Sequence, residues 1–150
     1  MGSDRSPIPG VGIAIVDDRK VLLVQKRSGP FTGLWGVPGG KIEYGETRVE
    51  AAHREVLEET GLEIELGSPI WVGEAIAPGD EPGWHFTLVD FVARPTGGDL
   101  RAGDDASDAR WFTLDEMREL PLIPKMDALI EPLGALMEGG GAGQPLAFPV

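Results

Sequence analysis

The 150-residue sequence contains no cysteine, which removes disulfides, zinc–thiolate centres and thiol nucleophiles from consideration. Basic side chains are scarce: 13 Lys and Arg stand against 25 Asp and Glu, a formal charge of −12. That balance excludes long-range attraction to nucleic-acid backbones and anionic membranes, so neither is expected as a partner. It also means that any polyanionic small molecule has to be held through cations. No apolar run approaches transmembrane length, and the polar, proline-bearing start lacks the basic-then-apolar pattern of a secretory signal. A cytoplasmic protein is expected. Apolar residues make up 41% of the chain, enough for one domain with a core and too little length for two.

Residues 1–10 read as a flexible lead-in, 11–138 as the domain, and 139–150 as a disordered glycine-rich tail. Val11 to Val16 and Val21 to Val24 are β-branched runs separated by Asp17-Asp18-Arg19-Lys20, the pattern of a hairpin. Ser28 to Gly33 is a Gly/Pro loop, and Pro38-Gly39-Gly40 breaks any regular element. From Thr47 the pattern turns helical. Thr47 and Glu50 form a capping box, Val49, Ala52 and Val56 share a face, and Gly61 stands where a left-handed cap belongs. Ile64 to Leu66, Ile70 to Ala77 and Trp84 to Ala93 are expected as strands, with a turn from Pro78 to Gly83. Gly97 to Asp108 reads as an acidic loop and Arg110 to Phe112 as a short strand. Thr113 caps a helical turn through Arg118, and Lys125 to Met137 is a second helix that must tolerate Pro132. Trp35 is expected to anchor the loop before Gly40, and Trp111 to pack under the last helix. This order suggests an α/β fold, a mixed sheet between helical layers.

The chemistry lies on the first helix. At about 100° per residue, Glu55, Glu58 and Glu59 fall within an arc of roughly 100°. Like charges so placed repel, and more strongly as water is removed, so something should offset the cost. One reading is a solvated acidic face helped by Arg54. The other is a site for a hard divalent ion such as Mg²⁺ or Mn²⁺, held by a few carboxylates together with substrate phosphates. The glycines before the helix allow a tight loop whose carbonyls could face the metal, and Glu46 stands where that loop enters the helix. Phosphoryl or nucleotidyl transfer to water is the natural reaction of such a site.

Gly40, five residues, Glu46, seven residues, then Arg54-Glu55-Val56-Leu57-Glu58-Glu59-Thr60-Gly61-Leu62 resembles, at every defined position, the signature of the Nudix hydrolases. Leu34-Trp35-Gly36-Val37-Pro38-Gly39 before it also looks like that family. The resemblance implies an α/β/α sandwich around a mixed β-sheet, and cleavage of a nucleoside diphosphate linked to another moiety. It implies metal ligation by Glu55, Glu58 and Glu59, with Glu46 and the Gly39 or Gly40 carbonyl as auxiliary ligands, and an Arg54 that orients the glutamates. In that family the general base is a glutamate of the motif or an acidic residue of a later loop. Here that loop carries Asp104 and Asp105, which equally read as a solvated acidic turn. Mg²⁺ is the expected cofactor, with Mn²⁺ as substitute.

Pro78 lies sixteen residues beyond Leu62, the spacing at which ADP-ribose pyrophosphatases of this family carry a marker proline. ADP-ribose, cleaved to AMP and ribose 5-phosphate, is therefore the first expected substrate. A (d)NTP pyrophosphohydrolase and a non-catalytic nucleotide sensor are the alternatives. Candidate substrate contacts are Arg27, for a phosphate, and Trp71, Trp84, His85 and Phe86, for a base or ribose; core packing is the competing role for these aromatics. A homodimer stays open.

Overall fold

The computed structural model describes residues 5–103 and 105–140; Asp104, and the expected tail beyond residue 140, lie outside the described residues. The strands are β1 (Ile8–Asp17), β2 (Lys20–Lys26), β3 (Trp35–Gly36), β4 (Gly39–Lys41), β5 (Leu62–Ile76), β6 (His85–Gly98) and β7 (Ala106–Phe112). The helices are α1 (Arg48–Thr60), α2 (Leu114–Arg118) and α3 (Ile130–Gly140), the last entered through a 3₁₀ turn at Met126–Leu129. β1 runs parallel to β6 and antiparallel to β2 and β4, which makes the sheet mixed. β5 extends it beyond β6, while β3 and β7 flank β2. Among the described residues no helix is long and apolar enough to cross a membrane.

Alternation along β1 and β6 divides the interior. Val11, Ile13, Ile15, Phe91 and Ala93 pack with Ala51, Ala52 and Val56 of α1. Ala14 of β1 faces the other way, into a cluster with Trp35, Met117, Leu129 and Leu133 beneath the C-terminal helices. The result is the expected α/β/α arrangement.

Several expectations are corrected. β1 begins at Ile8, three residues before Val11, because Ile8, Pro9 and Gly10 continue the parallel ladder against Phe86, Thr87 and Leu88. The two strands expected within 64–77 are one, β5, bent by register shifts around Pro69, where a proline cannot donate to the ladder. β6 and β7 extend into the expected acidic loop, leaving, among the described residues, 99–103 and 105 between them. Val49 is 47% exposed, and Ala51 takes its place on the buried stripe of α1. Trp111 packs on the α1 side, and it is Phe112 that turns toward the C-terminal helices, its ring 5.1 Å edge-on to that of Trp35. Trp35 does anchor its loop: its N–H donates to the Pro121 carbonyl at 2.8 Å and its carbonyl accepts from the Ile123 N–H at 2.8 Å. Pro132 falls in the first turn of α3, where no intrahelical N–H is needed.

Both ends of α1 are closed. Thr47 and Glu50 form the capping box, and Gly61, at φ 75°, returns its N–H to the Leu57 carbonyl. The following carbonyls are satisfied by the 99–105 loop, through Arg101 N–H to Thr60 (2.9 Å) and Gly103 N–H to Glu59 (2.8 Å). A Cβ on Gly103 would overlap the Glu58 carbonyl oxygen. Gly103→Ala should therefore lift this loop off the helix end and cost about 1–3 kcal/mol in urea unfolding; an unchanged midpoint would show that the loop does not brace α1.

Candidate functional site

The site forms where α1 crosses β4. β4 can lie between α1 and β1 because it is glycine: a Cβ on Gly39 would overlap the Val11 carbonyl oxygen, and one on Gly40 would stand 2.6 Å from the Glu55 carboxyl carbon. The carboxylates of α1 thereby reach bare backbone.

Arg54 is the hub of the outer part. Its Nε and Nη2 donate to the two oxygens of Glu46 at 2.7 and 2.9 Å, its Nη1 to Glu55 at 2.8 Å and to Glu58 at 3.4 Å, and Nη2 also reaches the Lys41 carbonyl at 3.0 Å. This is a planar donor fork used on several acceptors at once. The paired donors hold the Glu46 carboxyl down at about 2, assisted by the Glu43 N–H. Glu46 is thus fully engaged in fixing the guanidinium.

The inner part is Glu55 and Glu59. Their side chains are largely buried, whereas that of Glu58 is 59% exposed. Burial and the neighbouring Glu55 push the Glu59 carboxyl up to about 7, against the pull of Lys26, whose Nζ lies 3.6 Å away. Glu55 is also raised, by burial first, although Arg54 opposes the shift. Gly39 meets the site through its amide, whose N–H donates to Glu59 Oε2 at 3.3 Å. Among the described residues no three acidic or histidine side chains converge as a metal cluster; Glu58 meets the pair through Arg54 at 3.4 Å and through its charge, which adds to the rise at Glu55. The pair nevertheless fits a hard divalent cation. Two buried carboxylates repel each other across bare glycine backbone and offer the oxygen donors that such an ion prefers.

Beside these carboxylates, on the opposite face of the sheet from α1, opens a cavity of about 260 Å³. Lys26, Gly39 and Gly40 form its border with the carboxylate site, Trp71, Phe86 and Phe31 supply aromatic wall, and the segment from Ile123 to Met126 closes the far side. Asp90 lies in it, 6% exposed, its carboxyl raised to about 6 by burial alone. Because this folded value exceeds that of an unfolded aspartate, Asp90 contributes stability that is present below about pH 4 and lost as the pH rises to about 6. The loss should be on the order of 2–3 kcal/mol and absent from Asp90→Asn. Denaturant unfolding of both proteins at pH 4 and 7 reads it directly.

The residues expected at the substrate are only partly brought together. Trp71 and Phe86 line the cavity. Trp84 stands behind them, 5.1 Å edge-on from Phe31 and 6.1 Å from Phe86, stacked at 30°. His85 lines a separate open groove by the 78–83 turn, and Pro78 is exposed on that turn, away from the cavity. At the end of β2 it is Lys26 that meets Glu59, while Arg27 joins the 99–105 loop through its N–H to the Asp105 carbonyl at 3.0 Å. Asp105 is exposed on that loop, near the Glu59 end of α1. Sequence reasoning missed Lys26, Lys41, Lys125, Phe31 and Asp90. For Lys26 the signal was available, since alternation from Val24 places it, and not Arg27, on the inward face.

The family model for the NUDIX domain matches residues 6–133. The ADP-ribose pyrophosphatase of Methanocaldococcus jannaschii is 39% identical over 114 residues, 76% of this chain and 66% of the relative. The human 8-oxo-dGDP phosphatase NUDT18 is 35% identical over 106 residues, 68% of this chain and 31% of that protein. The chain thus spans just under two thirds of the first relative and under one third of the second. The crystal structure of a MutT NUDIX hydrolase from Burkholderia pseudomallei superposes with a TM-score of 0.77 at 31% identity, covering 85% of this chain and 98% of that one.

Proposed function

This chain belongs to the NUDIX domain family, and on that premise we propose that it is a cytoplasmic hydrolase, its catalytic unit spanning residues 11–138, that cleaves the pyrophosphate bond of a nucleoside diphosphate linked to another moiety. One observation carries this reading: the buried Glu55–Glu59 pair, set on glycine backbone, borders a cavity with aromatic walls and a cationic edge. ADP-ribose, cleaved to AMP and ribose 5-phosphate, is the proposed substrate, supported by the name of the archaeal relative at 39% identity.

Glu55 and Glu59, joined by Glu58, would hold Mg²⁺, with Mn²⁺ as substitute. When bound, such an ion neutralises phosphate charge and acidifies water. The chain's own residues do the rest. Arg54 and Glu46 fix the carboxylates, Lys26 and Lys41 meet phosphate oxygens at the cavity edge, and the aromatic wall holds the base out of water. Glu58, Glu59 and Asp105 are the described candidates for the group that takes the proton from attacking water; comparison of Glu58→Gln, Glu59→Gln and Asp105→Asn in single-turnover rates distinguishes them.

A nucleotide panel with Mg²⁺, analysed by product chromatography, tests the substrate. AMP from ADP-ribose as the dominant product supports the assignment. Nucleoside monophosphate and pyrophosphate from dNTPs would replace it with the second reading, a nucleotide-pool hydrolase, supported by the name of a putative 8-oxo-dGTP diphosphatase of Mycobacterium tuberculosis, 32% identical over 86% of this chain and 89% of that protein.

A further inference from the structure

Asp90 is out of keeping with its surroundings. It is buried beside Phe86, Leu88 and Trp71 in the cavity wall, and among the described residues it has neither a hydrogen-bond nor an ion-pair partner. Its niche is made by Gly12, its register partner on β1, where a Cβ would overlap Asp90 Oδ1. A carboxylate buried without a partner is unfavourable. One kept in a fitted niche at a ligand cavity is an acceptor awaiting a donor that arrives with the ligand.

The walls identify that donor. The cavity, about 260 Å³ and faced by Trp71, Phe86 and Phe31, admits a flat ring system, with the phosphates directed toward Lys26 and the glutamates. A ring edge bearing an amino group donates to Asp90. Hypoxanthine has a carbonyl where adenine has its 6-amino group, which sets acceptor against acceptor, and a bare C–H where guanine has its 2-amino group, so that N1–H is the one donor left on its edge. We propose that Asp90 is the base-reading residue of this enzyme, selecting a purine that carries an exocyclic amino group, the 6-amino of adenine or the 2-amino of guanine, over hypoxanthine. This rests on the hydrolase reading above and adds the choice of base.

The test is kcat/KM, with Mg²⁺, for two pairs matched in sugar and phosphate: ADP-ribose against its hypoxanthine counterpart, and dGTP against dITP. Wild type favours the amino-bearing member of at least one pair by about 10- to 100-fold, and the pair that discriminates identifies the amino group being read. Asp90→Asn, whose amide can turn either its carbonyl or its amino group to the base, brings the ratio to within about twofold. Its unfolding midpoint rises, because a buried unpartnered charge is gone. The proposal is overturned if wild type discriminates neither pair, or if the preference survives Asp90→Asn. A fall in midpoint with base preference intact would make Asp90 a structural residue. Hydrolysis without base contrast sinks this inference alone, and absence of any hydrolysis sinks the hydrolase reading. Equilibrium binding of AMP, GMP and IMP to both proteins reads the same contrast without turnover.

Discussion

Glu59→Gln will lower kcat by about 10³-fold or more while making the metal-free protein harder to unfold. The loss is expected because Glu59 is the most deeply set carboxylate of the site, paired with the Lys26 ammonium at 3.6 Å on one side and accepting from the Gly39 N–H on the other. A neutral amide in its place keeps the shape and gives up the charge that would hold the ion. The gain in stability follows from the same burial. Glu59 is 7% exposed and its ionisation is opposed by desolvation and by Glu55. A side chain that cannot ionise escapes that opposition. Glu55→Gln should resemble it, with a smaller stability gain because Arg54 already compensates Glu55 at 2.8 Å. Steady-state kinetics and metal-free thermal melting of both variants provide the check. Wild-type turnover in Glu59→Gln would remove Glu59 from the machinery, and a fall in melting temperature would make it a structural group.

Loss of Arg54 is the second large effect. Arg54→Ala should reduce kcat about 10²-fold and raise the Mg²⁺ concentration needed for half-maximal rate, as expected where a group that orients metal ligands is removed. Arg54→Lys should recover little of this. The guanidinium donates to Glu46 through two nitrogens and to Glu55 through a third, and an ammonium cannot span those acceptors from one point. A metal titration of activity decides. If lysine restores full rate, only the charge of Arg54 matters and the planar fork is incidental.

What the sequence disclosed and what it withheld follow from the range of the forces involved. α1 was legible to its ends because its caps, Thr47 with Glu50 and Gly61, act within one turn of the backbone. The glutamate stripe was legible for the same reason, apart from Glu58, whose outward turn depends on how the helix rolls onto the sheet. Strand parity was less secure. One residue of slip separates Trp111 from Phe112, and it was Trp111 that was expected under the C-terminal helix; Lys26, which meets Glu59, was passed over beside Arg27. The cavity was out of reach, since Phe31, Trp71, Asp90 and Lys125 come from four separated segments that only the completed sheet brings together. Asp90 left a trace, an acidic residue in the apolar run from Leu88 to Ala93, but its partner Gly12 is 78 positions away in the sequence. Pro78 had only its spacing to recommend it, and the turn it occupies lies elsewhere.

The parity of β1 has one more consequence. Odd-numbered residues of that strand hold α1, while Gly10 and Gly12 shape the floor of the cavity, and β6 follows the same rule with Phe91 on one face and Asp90 on the other. The carboxylate helix and the aromatic cavity are therefore inscribed on opposite sides of one ribbon, in alternate letters. A substitution at an even position should therefore reshape the cavity while leaving the packing under α1 in place.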